Sequence, residues 1–272
     1  MSDEGTSAGP ALTPAGAQLQ AEPPMPDNLT PLITGCALLA RTVMRCLTRV
    51  RIDGAIDRIP RTGPLIIAVN HISNADGVVV GGWLTPALGR RIHWLGKREM
   101  LEWPILGRLV RAGSVHPIDR GGADVEAFRL AERILHEGHV LLVFPEGTRS
   151  PTGALQEAKD GLALLALRSG ATILPVGVAG PDRVWPKGRY PRPGGHVSMT
   201  VGEPFRLADI LPAVTDRKTA KRLATSAIMT RIAALLPARH RGAYAEAAAA
   251  FEADDPRTSA GDPVDMGPTT KA

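Results

Sequence analysis

The chain has 272 residues, of which 44% are hydrophobic and 22% charged, and its formal net charge is +5. That length and balance allow one or two globular domains with a substantial core. The basic excess suits a partner carrying phosphate, CoA or anionic lipid, but no Lys/Arg tract exceeds a few residues, so no nucleic-acid partner is expected.

Residues 1–28 are polar, rich in Ala, Pro and Gly, and without the basic start and apolar stretch of an export signal. They are read as disordered, and secretion by that route is not expected. Residues 31–51 have a helical period. Leu32, Cys36, Leu39, Val43, Leu47 and Val50 fall within an arc of about 90°, with Arg41, Arg45 and Arg49 on the other side. An apolar stripe backed by arginines suits a helix lying in a membrane interface. A helix packed on the domain with a solvated basic face shows the same pattern. The segment 29–51 is assigned as the amphipathic interface helix, with both placements open. Its two cysteines, Cys36 and Cys46, are the only ones in the chain. On one helix they sit about 15 Å apart along the axis, beyond the reach of about 7 Å that a disulfide allows. They are read as free thiols of a reducing compartment. No charge-free apolar run reaches the roughly 18 residues of a spanning helix.

Alternating strand and helix signals follow. The apolar runs at 65–69, 92–95, 114–118, 140–144, 171–178 and 197–201 read as strands. Segments 76–88, 99–111, 122–137, 158–169 and 214–236 read as helices. The pattern predicts an α/β fold, a mostly parallel central sheet flanked by helices with an N-terminal amphipathic helix. The domain is placed at 52–240, with 241–272 a largely disordered tail.

Ligands of such sheets bind beyond the carboxyl ends of the strands, and two polar clusters fall there. The first runs from Asn70 to Asp76. His71 is a natural general base near neutral pH, and Asp76 could fix its tautomer and stabilise the imidazolium. No Gly-x-Ser-x-Gly elbow supplies a nucleophile, so the pair points to direct activation of a substrate hydroxyl or water. The second cluster is Phe144-Pro145-Glu146-Gly147-Thr148-Arg149-Ser150. Gly147 permits close approach of backbone to a ligand, and Arg149 can grip phosphate bidentately. Arg120 is a second phosphate candidate. For each Arg taken singly a surface ion pair is the commoner fate, and for Gly147 a plain turn. His136-Glu137-Gly138-His139 lacks the His-Glu-x-x-His spacing and reads as structural or surface, so no metal site is expected.

Asn70-His71-x-Ser73-x-x-Asp76 resembles the first motif of the glycerolipid acyltransferases, the 1-acylglycerol-3-phosphate acyltransferase (PlsC-like) family with its HxxxxD signature. Phe144 to Ser150 resembles the third motif without a departure. Gly113 to Arg120 resembles the second, although His116-Pro117 stands where the family is more apolar. Ile173-Leu174-Pro175-Val176 is similar to the fourth, and Gly202-Glu203-Pro204 to a later signature. The resemblance spans about residues 50–205. The alcohol acyltransferases of the chloramphenicol type are disfavoured, since their His-x-x-x-Asp is one residue shorter.

The resemblance implies roles. His71 would deprotonate the acceptor hydroxyl, oriented by Asp76. Asn70 and Ser73 would support the turn, with Pro145 a further support. Arg120 and Arg149, with Lys97 as a further contact, would hold the acceptor phosphate. Glu146, Gly147 and Thr148 would shape the acceptor site, and Pro175 the wall of the acyl site. The implied partners are an acyl thioester donor (acyl-CoA or acyl carrier protein), a lysophospholipid acceptor and the cytoplasmic face of a membrane, met peripherally. No cofactor is implied, and the oligomeric state is left unknown. The expected activity is acyl transfer to 1-acylglycerol-3-phosphate. The alternatives are a glycerol 3-phosphate or glycolipid acceptor, and a non-catalytic lipid-binding module.

Overall fold

A computed structural model describes residues 24–97, 113–118, 124–159, 161–186, 190–213 and 216–254. Helix α1 (Pro31–Leu47) leads into strand β1 (Arg49–Gly54). Then follow β2 (Leu65–Val69), α2 (Ala75–Leu88), β3 (Ile92–Lys97), β4 (Val115–Ile118), α3 (Asp124–His136), β5 (Val140–Val143), α4 (Gly161–Ser169), β6 (Thr172–Ala179), β7 (His196–Val201), α5 (Arg217–Ala234) and α6 (Ala245–Ala253). The seven strands form one sheet in the order β1-β7-β6-β2-β5-β3-β4. All neighbours are parallel except β6 and β7, which are antiparallel.

The core follows from the alternation of side chains across a strand. In β2 every residue is buried, as a continuous apolar run in a sheet covered on both faces requires. Leu65, Ile67 and Val69 face a layer containing Val79, Val80 and Leu84 of α2 and Met44 of α1. Ile66 and Ala68 face Ile134 and Leu135 of α3, Leu165 of α4 and Ile228 and Ile232 of α5. Helices thus cover both faces, and the carboxyl ends of β2, β3, β5 and β6 open on one edge.

The structure departs from the sequence reading at both ends of the domain. The helix expected to run to residue 51 stops at Leu47, and Thr48 turns extended with φ −157° and ψ 163°. Arg49-Val50-Arg51-Ile52-Asp53 alternates with the period of a strand and pairs in parallel with β7. The helix packs on a face about 100° round from the expected stripe. Ile33, Ala37 and Met44 are buried, whereas Leu32, Leu38, Leu39 and Val43 stand exposed. Arg41 and Arg45 lie with their guanidinium groups 5.4 and 5.9 Å from the Trp83 ring.

Residues 24–28, expected to be disordered, lie on the domain. The Met25 N–H donates to Glu137 Oε2 (2.6 Å), and Asp27 pairs with Arg90 (3.4 Å). Residues 241–253, expected in the tail, form a 3₁₀ turn and α6. Residues 1–23 and 255–272 and the whole of the helix expected at 99–111 lie outside the described residues.

Near the amino ends of the strands His93, His116 and His139 form a column. Ring centroids are 5.3 Å apart in each stacked pair, and His93 Nδ1 meets His116 Nε2 at 3.0 Å. This contact accounts for His116 where the resemblance led to an apolar residue. His139, from the segment read as structural or surface, is the third ring, with Asp27 3.3 Å from its Nδ1. Burial lowers the His93 pKa to about 4, helped by His116, His139 and Arg91 and opposed by Asp27, and burial also lowers His116.

Candidate active site

The loop after β2 folds tightly around one carboxylate. Asp76, wholly buried in the first turn of α2, directs Oδ2 at three donors: the N–H groups of Ile72 (2.7 Å) and Ser73 (2.8 Å) and Nδ1 of His71 (2.8 Å). The five-residue spacing therefore closes into direct contact. Burial pushes the Asp76 carboxyl above its ordinary range, while the His71 hydrogen bond and charge and the two N–H groups pull it back. A carboxylate made more basic by burial is a stronger acceptor for the Nδ1 proton. That proton on Nδ1 leaves Nε2 unprotonated, the tautomer a general base needs. The His71 side chain keeps 22% of its surface exposed, so the ring remains reachable.

The ring is fixed from a second side. Phe144, at the end of the β5 run, stacks on His71 with centroids 4.0 Å apart and planes 17° from parallel. The sequence reading gave Phe144 no role.

Asn70 and Ser73 secure the loop from below. Asn70 Nδ2 donates to the Val178 carbonyl (2.8 Å), and the Val178 N–H donates to Asn70 Oδ1 (2.7 Å). The side chain thereby continues the β2–β6 ladder one step past the last paired residue. Ser73 Oγ lies 3.0 Å from the Pro181 carbonyl and 2.8 Å from that of Trp185, and accepts from the Ala75 N–H (3.1 Å).

Glu146 joins the two clusters. Its Oε1 accepts from the backbone N–H of His71 (2.7 Å) and its Oε2 from that of Gln156 (3.0 Å), and the residue is buried. Burial raises its carboxyl, opposed by those two N–H groups. Expected at the acceptor, Glu146 shapes the site from within, by holding the loops after β2 and β5 together. The Ser150 N–H also donates to the His71 carbonyl (2.7 Å). Pro145 is buried, and its carbonyl accepts from the Lys159 N–H (2.9 Å).

On the outer side of this loop Gly147 and Thr148 are exposed. Arg149 spends one N–H on Asn74 Oδ1 (2.7 Å), one of the five its guanidinium carries, and so links the loop to the start of α2. Gly147 has φ +67°, and a Cβ there would fall 2.8 Å from Cδ and Cε of Lys159. The left-handed conformation is what favours glycine here, while the flexible, exposed Lys159 stem can move aside for a Cβ. Lys159 is exposed; the sequence reading missed it because it lies nine residues past the motif's Ser150, and only the fold returns it to the loop.

The remaining expected residues fall as follows. Lys97 ends β3, on the same sheet edge as His71; its side chain, and all of Arg120, lie outside the described residues. Pro175, expected to position the wall of the acyl site, is buried within β6, opposite Ala68 of β2. Its carbonyl accepts from the Gly202 N–H (2.9 Å). Backbone N–H and C=O of one strand residue point to the same neighbour, so the missing N–H faces β7 just where that strand ends, a place where proline is tolerated. A Cβ on Gly202 would lie 2.8 Å from Pro175 Cγ, so these two motifs pack on each other. Among the described residues no group of three or more His, Cys, Asp or Glu is arranged to hold a metal ion, and no helix is long and apolar enough to cross a membrane.

Comparison with known proteins meets this geometry. A family model described as Acyltransferase matches residues 49–179, from β1 through β6. The chain is similar to the 1-acyl-sn-glycerol-3-phosphate acyltransferase of Limnanthes alba, 36% identical over 126 residues that cover 44% of this chain and 43% of that protein. It is also similar to the lyso-ornithine lipid O-acyltransferase of Pseudomonas aeruginosa, 33% identical over 143 residues, 52% of this chain and 51% of that one. The chain thus spans about half the length of these curated relatives. The crystal structure of the 1-acyl-sn-glycerophosphate (LPA) acyltransferase PlsC from Thermotoga maritima shares the fold, with TM-score 0.60 and 23% identity over 72% of this chain and 76% of that one.

Proposed function

We propose that the chain is a glycerolipid acyltransferase, as the Acyltransferase match over residues 49–179 and the similarity to 1-acyl-sn-glycerol-3-phosphate acyltransferases support, and that it transfers a fatty acyl group from acyl-CoA or acyl carrier protein to the hydroxyl of 1-acylglycerol-3-phosphate, making phosphatidic acid for phospholipid synthesis. The observation that carries this reading is the His71–Asp76 contact beside the Glu146–Arg149 loop. His71 Nε2 takes the proton of the acceptor hydroxyl as its oxygen attacks the thioester carbonyl. The C–O bond forms, the C–S bond breaks, and the imidazolium returns the proton to the departing thiolate. Asp76 stabilises the imidazolium meanwhile. General-base catalysis of this kind contributes roughly 10²–10⁴-fold, and holding both substrates together contributes further. Arg149 and Lys159 flank the position where an anionic acceptor head would sit, with Lys97 and Arg120 as further contacts in the same role.

The proposal includes peripheral attachment to the cytoplasmic side of a membrane, and the exposed face of α1 supports the attachment itself. Leu32, Leu39 and Val43 are 58%, 56% and 43% exposed, although Ile33, Ala37 and Met44 of the same helix already bury its domain face. An apolar stripe left over after packing is what an interfacial helix presents to lipid.

The test is an acceptor panel of lysophosphatidate, glycerol 3-phosphate, a lyso-ornithine lipid and an unphosphorylated lysoglycolipid, each with one acyl-CoA and release of free thiol as readout. Fastest turnover with lysophosphatidate is expected. Preference for the lyso-ornithine lipid, which the Pseudomonas relative's name favours as the second reading, would reassign the acceptor. No thiol release with any member would make the chain a lipid-binding module.

A further inference from the structure

The C-terminal segment 240–244 lies outside the part of the chain that matches the acyltransferase family model, which ends at residue 179. It is nevertheless fastened to the loop that follows Ser150. His240 is buried, and its Nδ1 donates to the Gly153 carbonyl (2.6 Å). The Leu155 N–H donates back to the His240 carbonyl (2.9 Å). Gly242, at φ +52°, lets the two backbones touch: a Cβ there would lie 2.1 Å from the Leu155 oxygen. The Ala158 N–H then donates to the Tyr244 hydroxyl (3.2 Å). The segment is itself braced, since Arg241 makes a two-point pair with Glu252 of α6 (2.7 and 2.6 Å) and donates through Nε to the Leu236 carbonyl (2.9 Å).

What this segment holds is the inner rim of the site. Gln156 is the second donor to Glu146, which in turn holds the backbone of His71. Ser150 Oγ donates to the Ala154 carbonyl (2.6 Å). Lys159, directly after the fastened stretch, lays its stem against Gly147. We propose that residues 240–244 form a strap that sets the acceptor side of the active site, with His240 and Tyr244 as positioning residues for the Glu146 and Lys159 contacts. The strap touches neither His71 nor Asp76, and the His71 N–H bond to Glu146 Oε1 does not run through it, so its loss falls first on how the anionic acceptor is held, and kcat follows only as far as Glu146 itself shifts. This inference rests on the acyl-transfer reading.

The experiment compares the full chain with His240→Ala, His240→Asn and Tyr244→Phe in thiol-release kinetics, varying lysophosphatidate at saturating acyl-CoA and then the reverse. His240→Ala should raise the acceptor KM about fivefold to tenfold, with kcat within about threefold and the acyl-CoA KM unchanged. His240→Asn, whose amide nitrogen occupies the place of Nδ1, should restore the acceptor KM. Tyr244→Phe should move it in the same direction by less. Should His240→Ala fail to fold, Tyr244→Phe and His240→Asn decide the matter. Folded, active His240→Ala and Tyr244→Phe variants with unchanged acceptor KM, or with both KM values and kcat moving together, overturn the strap alone. A wild-type chain that releases no thiol with any acceptor overturns the acyl-transfer reading and the strap with it.

Discussion

Glu146 accepts a hydrogen bond from the backbone N–H of His71 across 2.7 Å, and through its other oxygen one from Gln156 across 3.0 Å. One buried carboxylate thus registers the loop carrying the base against the loop that faces the acceptor. Glu146→Gln keeps the size but turns one acceptor into an NH₂ group that must confront a backbone N–H. An unsatisfied buried donor costs about 1–3 kcal/mol. Urea unfolding should show a loss of that size, together with a fall in kcat, because the displaced backbone is that of His71 itself.

The two faces of α1 separate stability from membrane binding. Leu39→Glu changes an exposed side chain and should leave the unfolding midpoint within about 0.5 kcal/mol of wild type, while sharply reducing sedimentation with anionic vesicles. Met44→Ala empties a site that is 2% exposed and should cost about 2–5 kcal/mol, with vesicle binding of the remaining folded protein kept. Equal vesicle binding by wild type and Leu39→Glu would remove α1 as the anchor.

The α/β alternation and the two polar loops were legible in the sequence because each depends on neighbours along the chain. Leu65–Val69 could only be a buried strand, and His71 lies five residues from Asp76, within reach of a single turn. Features set by distant segments were not legible. The periodicity of 31–51 locates an apolar stripe but cannot say that the domain takes Ile33, Ala37 and Met44 instead. The strand alternation of 49–53 was absorbed into the helix before it. The packing of Gly202 against the Pro175 ring joins two motifs that nothing local in either one links. His240 carries no local signal at all, since its partner Gly153 lies 87 residues away.

Lys159 and Gly147 share one small space. Lys159→Ala removes an exposed cation and should raise the KM for lysophosphatidate about tenfold, some 1.4 kcal/mol, with little change in melting temperature. Gly147→Ala should instead lower stability, because the left-handed conformation of that residue costs a side chain roughly 1–2 kcal/mol, and should displace the lysine as well. Acceptor titrations and thermal melts on the two variants distinguish the effects.

The histidine column makes stability depend on acid. His93 titrates near 4 in the fold, below the ordinary 6.5, under burial and the charges of His116, His139 and Arg91, with Asp27 opposing. The unfolded ring takes a proton first as the pH falls. This stabilisation is therefore present above about pH 6.5 and is lost between about 6.5 and 4, amounting to at most about 3 kcal/mol. His93→Phe should flatten that part of the stability–pH curve, as measured by urea unfolding midpoints at several pH values in parallel with wild type.

The most direct test of the proposed chemistry is steady-state thiol release from acyl-CoA with saturating lysophosphatidate, comparing wild type with a folded His71→Ala variant. If the imidazole held by Asp76 is the general base, kcat falls by about 10²–10⁴-fold while the melting temperature stays close to wild type. A folded His71→Ala protein turning over at the wild-type rate would contradict it.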